Sequence, residues 1–166
     1  MSTKNKIDCA FTKGNKWFRY RAAAIIVEDG KFLAVTSKNT AYFYTVGGGV
    51  HVSESAEECV LREVREETGA DYEVDRLAVI CENFFTGKGG SIDGLDCHCI
   101  EFYFLMKSRG ILELSGGGIN SENETEELVW IPIEELPNTN LVPEFLRTQL
   151  PEILQSNSVQ HITNGR

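Results

Sequence analysis

Residues 48–70 of this sequence are GGVHVSESAEECVLREVREETGA. Within this stretch, Ser55 followed three positions later by Glu58 is the pattern of a capping box, which begins a helix because each side chain satisfies a backbone N–H of the other residue. Gly69 is typical of the position just beyond a helix, since glycine readily adopts the left-handed conformation needed there. The sequence therefore predicts a helix from about Ser55 to Gly69, preceded by a turn of three glycines, Gly47–Gly49.

Three carboxylates are crowded on the second half of this helix. Glu63, Glu66 and Glu67 stand at i, i+3 and i+4, so they share one face, where each like-charged pair costs roughly 0.2–0.5 kcal/mol. A divalent cation would offset this repulsion, and an all-oxygen ligand set favours Mg²⁺ or Mn²⁺ over Zn²⁺. A surface ion pair between Arg62 and Glu66 is the competing explanation, but it leaves two carboxylates unexplained.

The overall charge is acidic, with 16 Lys and Arg residues against 25 Asp and Glu residues and a net charge of -9. This charge repels a phosphate backbone, so we expect no stable binding to nucleic acid. Carboxylates that gather metal ions would still allow a small phosphate-bearing ligand to approach.

The cysteines and the N-terminal residues indicate a compartment. Five cysteines form no regular disulfide framework, which favours a reducing environment. The first twenty residues contain no apolar stretch of signal-peptide length, and the longest apolar run, Ala22–Val27, is too short to span a membrane. We therefore expect a cytoplasmic protein without membrane attachment.

Runs of aromatic and β-branched residues alternate with glycine-rich turns along most of the chain. They predict a hairpin of the strands Phe18–Val27 and Lys31–Thr36, and a short strand, Tyr42–Val46, that leads into the glycines. Three further strands are predicted at Tyr72–Phe85, Cys99–Met106 and Leu128–Ile131, and a second helix at Pro143–Leu154. With 166 residues and no linker or repeat, we predict one α+β domain over residues 1–155 and a polar C-terminal tail over 156–166.

The spacing of the residues around the predicted helix matches a known signature. Gly48, Glu54 and the run REVREETG at 62–69 fill every strict position, and on these residues the chain resembles the Nudix hydrolases. The resemblance extends from Gly48 to Ala70, which is smaller than the family's usual aliphatic residue at that position. It implies the Nudix fold, a mixed β-sheet sandwiched between α-helices.

The resemblance also implies an activity. Nudix hydrolases cleave a pyrophosphate bond in a nucleoside diphosphate linked to another moiety, so a nucleotide or nucleotide sugar is the expected substrate, with Mg²⁺ or Mn²⁺ as cofactor. It implies that Glu63, Glu66 and Glu67 bind the metal, and that Glu54 is a further ligand or hydrogen-bond partner. Arg62 would orient the glutamates. By the same resemblance, Arg62, Glu66 and Glu67 are expected to be catalytic residues.

The general base is left open by the resemblance, because in this family it is either a signature glutamate or a glutamate on a later loop. Glu124, Glu126 and Glu127 are the candidates on that loop. We select Glu124, because it lies in the part of the acidic stretch flanked by Gly and Asn. A solvated acidic loop is the competing interpretation of these residues.

Four residues are predicted to contact the substrate. Gly48 and Gly49 would shape a turn that lets the backbone approach phosphates. Arg21, on an early strand, is a candidate phosphate contact by the same resemblance. His51 lies between Gly48 and Glu54, and so near the pocket, where it either contacts phosphate or is solvated.

Two alternative functions stay open, as does the substrate. An RNA 5′-end or capped-nucleotide hydrolase would need a basic strip, and a non-catalytic nucleotide-binding module would have lost signature glutamates that this sequence retains. Some relatives that cleave ADP-ribose carry a proline about 16 residues beyond the last glycine of the signature, where this sequence has Phe85. Because relatives are often dimers, a homodimer is also expected.

Overall fold

In the part of the chain that the structure describes, the strands form two sheets, and three α helices pack against them. The computed structural model describes residues 6–116 and 125–166. The elements in these ranges are β1 (Ala10–Lys13), β2 (Lys16–Ile25), β3 (Val27–Glu28), β4 (Lys31–Ser37), β5 (Gly47–Gly49), α1 (Ala56–Thr68), β6 (Val74–Thr86), β7 (Asp96–Met106), β8 (Glu126–Pro132), α2 (Phe145–Thr148), α3 (Leu150–Gln155) and β9 (Gln160–Asn164).

The larger sheet is mixed. Its strand order is β1-β2-β7-β6-β9, and β5 pairs with β2 outside this path. The pairs β2–β7 and β6–β9 are parallel, while β1–β2, β2–β5 and β6–β7 are antiparallel. The smaller sheet is antiparallel, with the order β3-β4-β8.

Two apolar cores form on opposite faces of the sheets, because successive side chains of a strand point to opposite sides. On β2, Ala22 and Ala24 face a core that contains Val60 and Val64 of α1. Ala23 and Ile25 face the second core, which contains buried residues of α2 and α3: Phe145, Leu146, Leu150 and Ile153. The sheets therefore lie between helices, as predicted. No helix in the described part of the chain is both long and apolar enough to cross a bilayer.

Helix α1 begins and ends where the sequence predicts. The Ser55 hydroxyl accepts a hydrogen bond from the Glu58 N–H at 3.2 Å, and the Glu58 carboxylate accepts one from the Ser55 N–H at 2.8 Å. Gly69 adopts the left-handed conformation, with φ of 68°, and its N–H donates to the Arg65 carbonyl. An N-cap of this kind stabilises a helix by about 1 kcal/mol, which helps fix the glutamates along α1.

The predicted hairpin is shorter than expected. After Ile25 the chain passes from the large sheet to the small one, so that the hairpin strand paired with β4 is limited to β3, Val27–Glu28. The predicted strand at Tyr42–Val46 is also wrong in position. Phe43 and Tyr44 make isolated bridges only, and it is the glycine segment after them, β5, that forms a strand and pairs with β2.

The C-terminal segment differs more strongly from its prediction. Residues 156–166 were expected to form a polar tail, but β9 within them pairs in parallel with β6 at the edge of the large sheet. The predicted helix at Pro143–Leu154 is divided into α2 and α3 at Gln149. The proline at position 151 lacks the N–H needed for a continuous helical hydrogen-bond ladder, which accounts for the division.

Candidate active site

A cavity of about 1140 Å³ opens on one face of the large sheet. The glutamates of α1 and the glycine turn before it form one wall, and strands β2, β6 and β7 supply the floor. Of the residues predicted for the site, those that line the cavity are Arg21, Gly48, Glu63, Glu66 and Glu67. Glu54, Gly49, His51 and Arg62 are not among its lining residues.

Arg62 links three of the predicted glutamates. Its guanidinium donates to Glu54 at 2.7 and 3.0 Å, to Glu66 at 3.4 Å, and to Glu63 in a short ion pair. The hydrogen bonds from Arg62 hold the pKa of Glu54 at about 2, in spite of partial burial. Arg62 therefore fixes the positions of the carboxylates from behind the cavity wall.

Glu67 is in the least solvated position of the set. Its Oε1 accepts the Gly47 backbone N–H at 3.1 Å, while its Oε2 is buried without a hydrogen-bond partner among the described residues. Burial raises the pKa of Glu67 to about 8, with further contributions from the Glu126 and Glu63 carboxylates. An unpaired buried carboxylate oxygen is costly, and a cation at this position would remove the cost.

The carboxylates suit a hard divalent cation by their chemistry. In the described residues no three acidic, imidazole or thiol groups converge on one point as they stand. The reason is local, because Glu63 is turned toward Arg62 and one oxygen of Glu67 is held by Gly47. The unpaired Oε2 of Glu67 beside further glutamates is a donor set of the kind that Mg²⁺ or Mn²⁺ prefers.

Gly48 leaves room for the carboxyl group of Glu63. A Cβ at this position would lie 2.5 Å from the carboxyl carbon of Glu63. A Cβ at Gly49 would instead lie 2.5 Å from the Asp8 carboxylate and 2.9 Å from the Arg19 guanidinium. Gly48 therefore borders the cavity, whereas Gly49 is packed against the N-terminal residues.

Arg21 lines the cavity, but its guanidinium is bonded to Thr45 and to the first glycine of the turn, Gly47. It donates to the Thr45 hydroxyl at 3.1 Å, to the Thr45 carbonyl at 2.9 Å and to the Gly47 carbonyl at 3.4 Å. Gly47 in turn donates to Glu67. The structure thus gives Arg21 a positioning contact that the sequence prediction of a phosphate contact did not include.

His51 lies outside the cavity, between two carboxylates. Its ring nitrogens are 3.3 Å from Glu54 and 3.4 Å from Asp8, and its backbone N–H donates to Glu54 at 3.0 Å. The ring is not fully solvated, since its side chain is only 17% exposed, and the phosphate contact stays a prediction. His51 instead connects the N-terminal segment to the glutamate that Arg62 holds.

Of the three candidates for a general base on the later loop, Glu124 lies outside the described residues. Glu126 lines the cavity and accepts a hydrogen bond from the Tyr44 hydroxyl at 2.8 Å. Its charge also contributes to the raised pKa of Glu67, so the two carboxylates are neighbours. Glu127, the next residue of β8, is exposed and does not line this cavity.

The floor of the cavity contains polar residues that the sequence analysis did not identify. Glu101 is only 5% exposed and accepts hydrogen bonds from the Asn83 amide at 3.2 Å and from the Tyr103 hydroxyl. Asn164 of β9 donates to Asn83 at 2.8 Å. The signal in the sequence was the presence of Asn83 and Glu101 among the apolar residues of strands β6 and β7, since buried polar side chains there require partners.

Comparison with known proteins agrees with this arrangement. A family model described as the NUDIX domain matches residues 18–153 of the chain. The chain therefore belongs to the Nudix family. This membership confirms the family, the fold class and the Nudix hydrolase enzyme class predicted from the signature.

Individual relatives are more distant. An ADP-ribose pyrophosphatase of Methanocaldococcus jannaschii is 29% identical over 131 residues, which cover 74% of this chain and 70% of that protein. A MutT-like protein of Streptomyces ambofaciens is 36% identical over 115 residues, covering 69% of this chain and 64% of that protein. The crystal structure of a MutT protein from Methanosarcina mazei Go1 has a TM-score of 0.62 at 21% identity, covering 85% of this chain and 96% of that one, and so shares the fold.

Proposed function

We propose that this chain hydrolyses a pyrophosphate bond in a nucleoside diphosphate linked to another moiety, with Mg²⁺ or Mn²⁺ as cofactor. The observation that carries the proposal is the unpaired, buried Oε2 of Glu67 beside Glu63, Glu66 and Glu126 in the cavity wall. Such a group of carboxylates is unfavourable without a cation. The cavity of about 1140 Å³ exceeds the range of roughly 300–1,000 Å³ common for small-molecule sites, so it can hold a whole nucleotide derivative.

Glu63, Glu66 and Glu67 would hold the metal, and Glu54 would support them through Arg62. When bound, the metal neutralises phosphate oxygens and lowers the pKa of a coordinated water. Arg62 keeps Glu54, Glu63 and Glu66 in place through its hydrogen bonds. Gly48 leaves room for Glu63, and the turn that contains Gly48 brings the backbone to the edge of the cavity.

We propose Glu126 as the base that accepts a proton from the attacking water, in preference to Glu124. Glu126 lies in the cavity beside Glu67, and the Tyr44 hydroxyl holds its carboxylate by a hydrogen bond. A carboxylate so fixed can take up a proton without first being ordered. Glu124 stays a sequence-based candidate, because it lies outside the described residues.

The nature of the group beyond the diphosphate is supported only by similarity. The relative named ADP-ribose pyrophosphatase favours a nucleotide sugar. The name of the MutT-like relative states no substrate. The retained signature glutamates disfavour a non-catalytic module, and the acidic charge of -9 disfavours an RNA 5′-end hydrolase. A cytoplasmic location is part of the proposal, as the irregular set of five cysteines suggests.

A release assay tests the proposal. Purified protein is incubated with nucleoside triphosphates, ADP-ribose, nucleotide sugars, dinucleoside polyphosphates and capped RNA, each with Mg²⁺, Mn²⁺ or a chelator, and phosphate-containing products are identified. We expect turnover of a nucleoside diphosphate derivative that stops in chelator. Turnover that persists in chelator would refute the metal dependence, and nucleotide binding without any turnover would favour a regulatory module.

A further inference from the structure

The cavity floor is organised in rows, because residues paired across neighbouring strands point to the same face of a sheet. The outermost row contains two aromatic residues and the next row two amides. The pairings place together Trp17, Cys97 and Phe85 in the first row, Arg19, Cys99, Asn83 and Asn164 in the second, and Arg21 and Glu101 in the third. All of these except Cys97 line the cavity.

Hydrogen bonds link Glu101 of the third row to the two amides of the second row, and each bond has a defined donor and acceptor. The Glu101 carboxylate can only accept, so the Asn83 NH₂ group donates to it and the Asn83 carbonyl oxygen faces the other way. That oxygen accepts a hydrogen bond from the Asn164 NH₂ group at 2.8 Å. The orientation of both amides is therefore determined by Glu101 rather than being arbitrary.

Asn164 retains unused hydrogen-bonding capacity at the cavity. Its carbonyl oxygen and its second N–H have no partner among the described residues, although the residue lines the cavity. Gly165 keeps this strand end against β6, because a Cβ there would collide with the Phe84 carbonyl oxygen. The amide of Asn164 thus keeps one donor and one acceptor available, on a residue that lines the cavity.

The neighbouring aromatic row supplies flat apolar surface. Phe85 is 36% exposed, which is unusual for an aromatic residue on a central strand, and Trp17 lines the cavity in the same row. An adjacent donor and acceptor beside exposed aromatic rings is the arrangement that recognises a nucleobase, since an amide pairs with two atoms of the base edge and the rings pack on its faces.

We propose that Asn164, oriented through Asn83 by Glu101, binds the edge of the nucleobase of the substrate and that Phe85 and Trp17 contact its faces. The inference deepens the proposed function, on which it rests for the nucleotide nature of the ligand. It makes the C-terminal strand β9 part of the substrate site. The base would lie against the second row of the cavity floor. Glu63, Glu66 and Glu67 of α1 line the same cavity.

Binding of nucleoside 5′-monophosphates tests this proposal separately from hydrolysis, because these probes have no pyrophosphate bond to cleave. The affinities of AMP, GMP, CMP and UMP are compared with that of ribose 5-phosphate by isothermal titration calorimetry. We expect the wild-type protein to bind at least one nucleotide ten times or more tightly than ribose 5-phosphate. In Asn164→Ala this preference should fall by about tenfold, with ribose 5-phosphate binding unchanged.

The matched control is His161→Ala on the same strand. His161 is three residues before Asn164, an odd separation, so its side chain points to the other face, where it contacts Glu82. We expect His161→Ala to bind every probe as the wild type does. Thermal unfolding of both variants shows whether β9 remains folded.

A second variant keeps the proposal testable if Asn164→Ala is unstable. Glu101→Gln can both donate and accept, so the Asn83 and Asn164 amides would no longer have one orientation. We expect it to reduce discrimination among the four nucleotides while ribose 5-phosphate binds unchanged. Wild-type base preference in both variants, or an equal loss of nucleotide and ribose 5-phosphate binding, would overturn the proposal. Base binding that survives a failed hydrolysis assay would overturn only the proposed reaction.

Discussion

Gly47 donates its backbone N–H to one carboxylate oxygen of Glu67 at 3.1 Å and leaves the other oxygen buried without a partner among the described residues. The turn before α1 therefore orients Glu67 but leaves its second carboxylate oxygen without a hydrogen bond. Arg21 holds the same turn through Thr45 and through the Gly47 carbonyl. Successive contacts therefore position the site. Arg21 holds the turn, the turn holds Glu67, and Glu67 lines the cavity.

Replacing Arg21 with lysine should disturb this arrangement. A lysine ammonium cannot reproduce the planar fork that contacts Thr45 and Gly47 together. We expect Arg21→Lys to lower the free energy of unfolding by about 1–3 kcal/mol and to reduce kcat more than it raises KM. Chemical denaturation and steady-state kinetics measure the two effects. A rise in KM alone, with unchanged kcat and stability, would indicate a direct phosphate contact instead.

Gly48→Ala should separate activity from stability. The added Cβ would meet the Glu63 carboxyl group, which is the end of a flexible side chain and can move away. We expect a small change in the free energy of unfolding, under about 1 kcal/mol, but at least a tenfold loss of kcat because Glu63 is displaced. A thermal melt combined with the release assay checks this. Full activity in this variant would show that the position of Glu63 is unimportant.

Glu126→Gln tests the choice of base. A glutamine cannot accept the proton, and loss of a general base commonly reduces the rate by about 10²–10⁴-fold. The control is Glu127→Gln, the exposed neighbour on β8 that does not line the main cavity, for which we expect nearly wild-type kcat. Normal activity of Glu126→Gln would return the role to Glu124 or to a signature glutamate.

Stability should depend on pH through Glu28, a buried carboxylate remote from the cavity. Burial alone would raise its pKa, but hydrogen bonds from the Ser108 hydroxyl and from the backbone N–H groups of Arg109 and Gly110 outweigh this effect and lower it. Because the pKa is lower in the folded state, these bonds stabilise the protein above the unfolded-state pKa of about 4.3, and the stabilisation is lost as the pH falls through the folded-state pKa.

The matching experiment compares wild type and Glu28→Gln by denaturant unfolding between pH 7 and pH 3. We expect the wild type to be more stable at pH 7 by about 1–3 kcal/mol, because glutamine leaves at least one backbone donor poorly paired. The difference should shrink as the pH is lowered. A difference that stays constant across this range would contradict the role assigned to the Glu28 charge.

Much of the fold was predictable because the decisive signals are local. The caps of α1 depend on Ser55, Glu58 and Gly69, all within one segment, and the structure has them as predicted. The passage of the chain between sheets after Ile25, and the recruitment of residues 160–164 into a strand, depend on partners distant in sequence. Composition alone marked the C-terminal segment as polar but could not show that β6 leaves an edge for it.

The candidate site was likewise predictable where its residues are close in sequence and not where they are distant. The spacing of Glu63, Glu66 and Glu67 on one helix was enough to group them, since helical geometry fixes their relative positions. The meeting of Glu101 with Asn83 and Asn164 requires the register of three strands, which the sequence does not display. His51 was expected near the pocket because of its place between Gly48 and Glu54, yet its ring lies between Asp8 and Glu54.

The most direct test of the account is the metal-dependent turnover of Glu67→Gln beside Glu57→Gln, measured on the substrate that the release assay identifies. Both changes remove one carboxylate from α1, but Glu57 is exposed in the first turn, away from the cavity. We predict that Glu57→Gln retains Mg²⁺-dependent activity, whereas Glu67→Gln loses at least 100-fold in kcat, by analogy with other removed charge-stabilising groups, which cost about 10²–10³-fold. Wild-type turnover by a folded Glu67→Gln variant would contradict the proposed metal site.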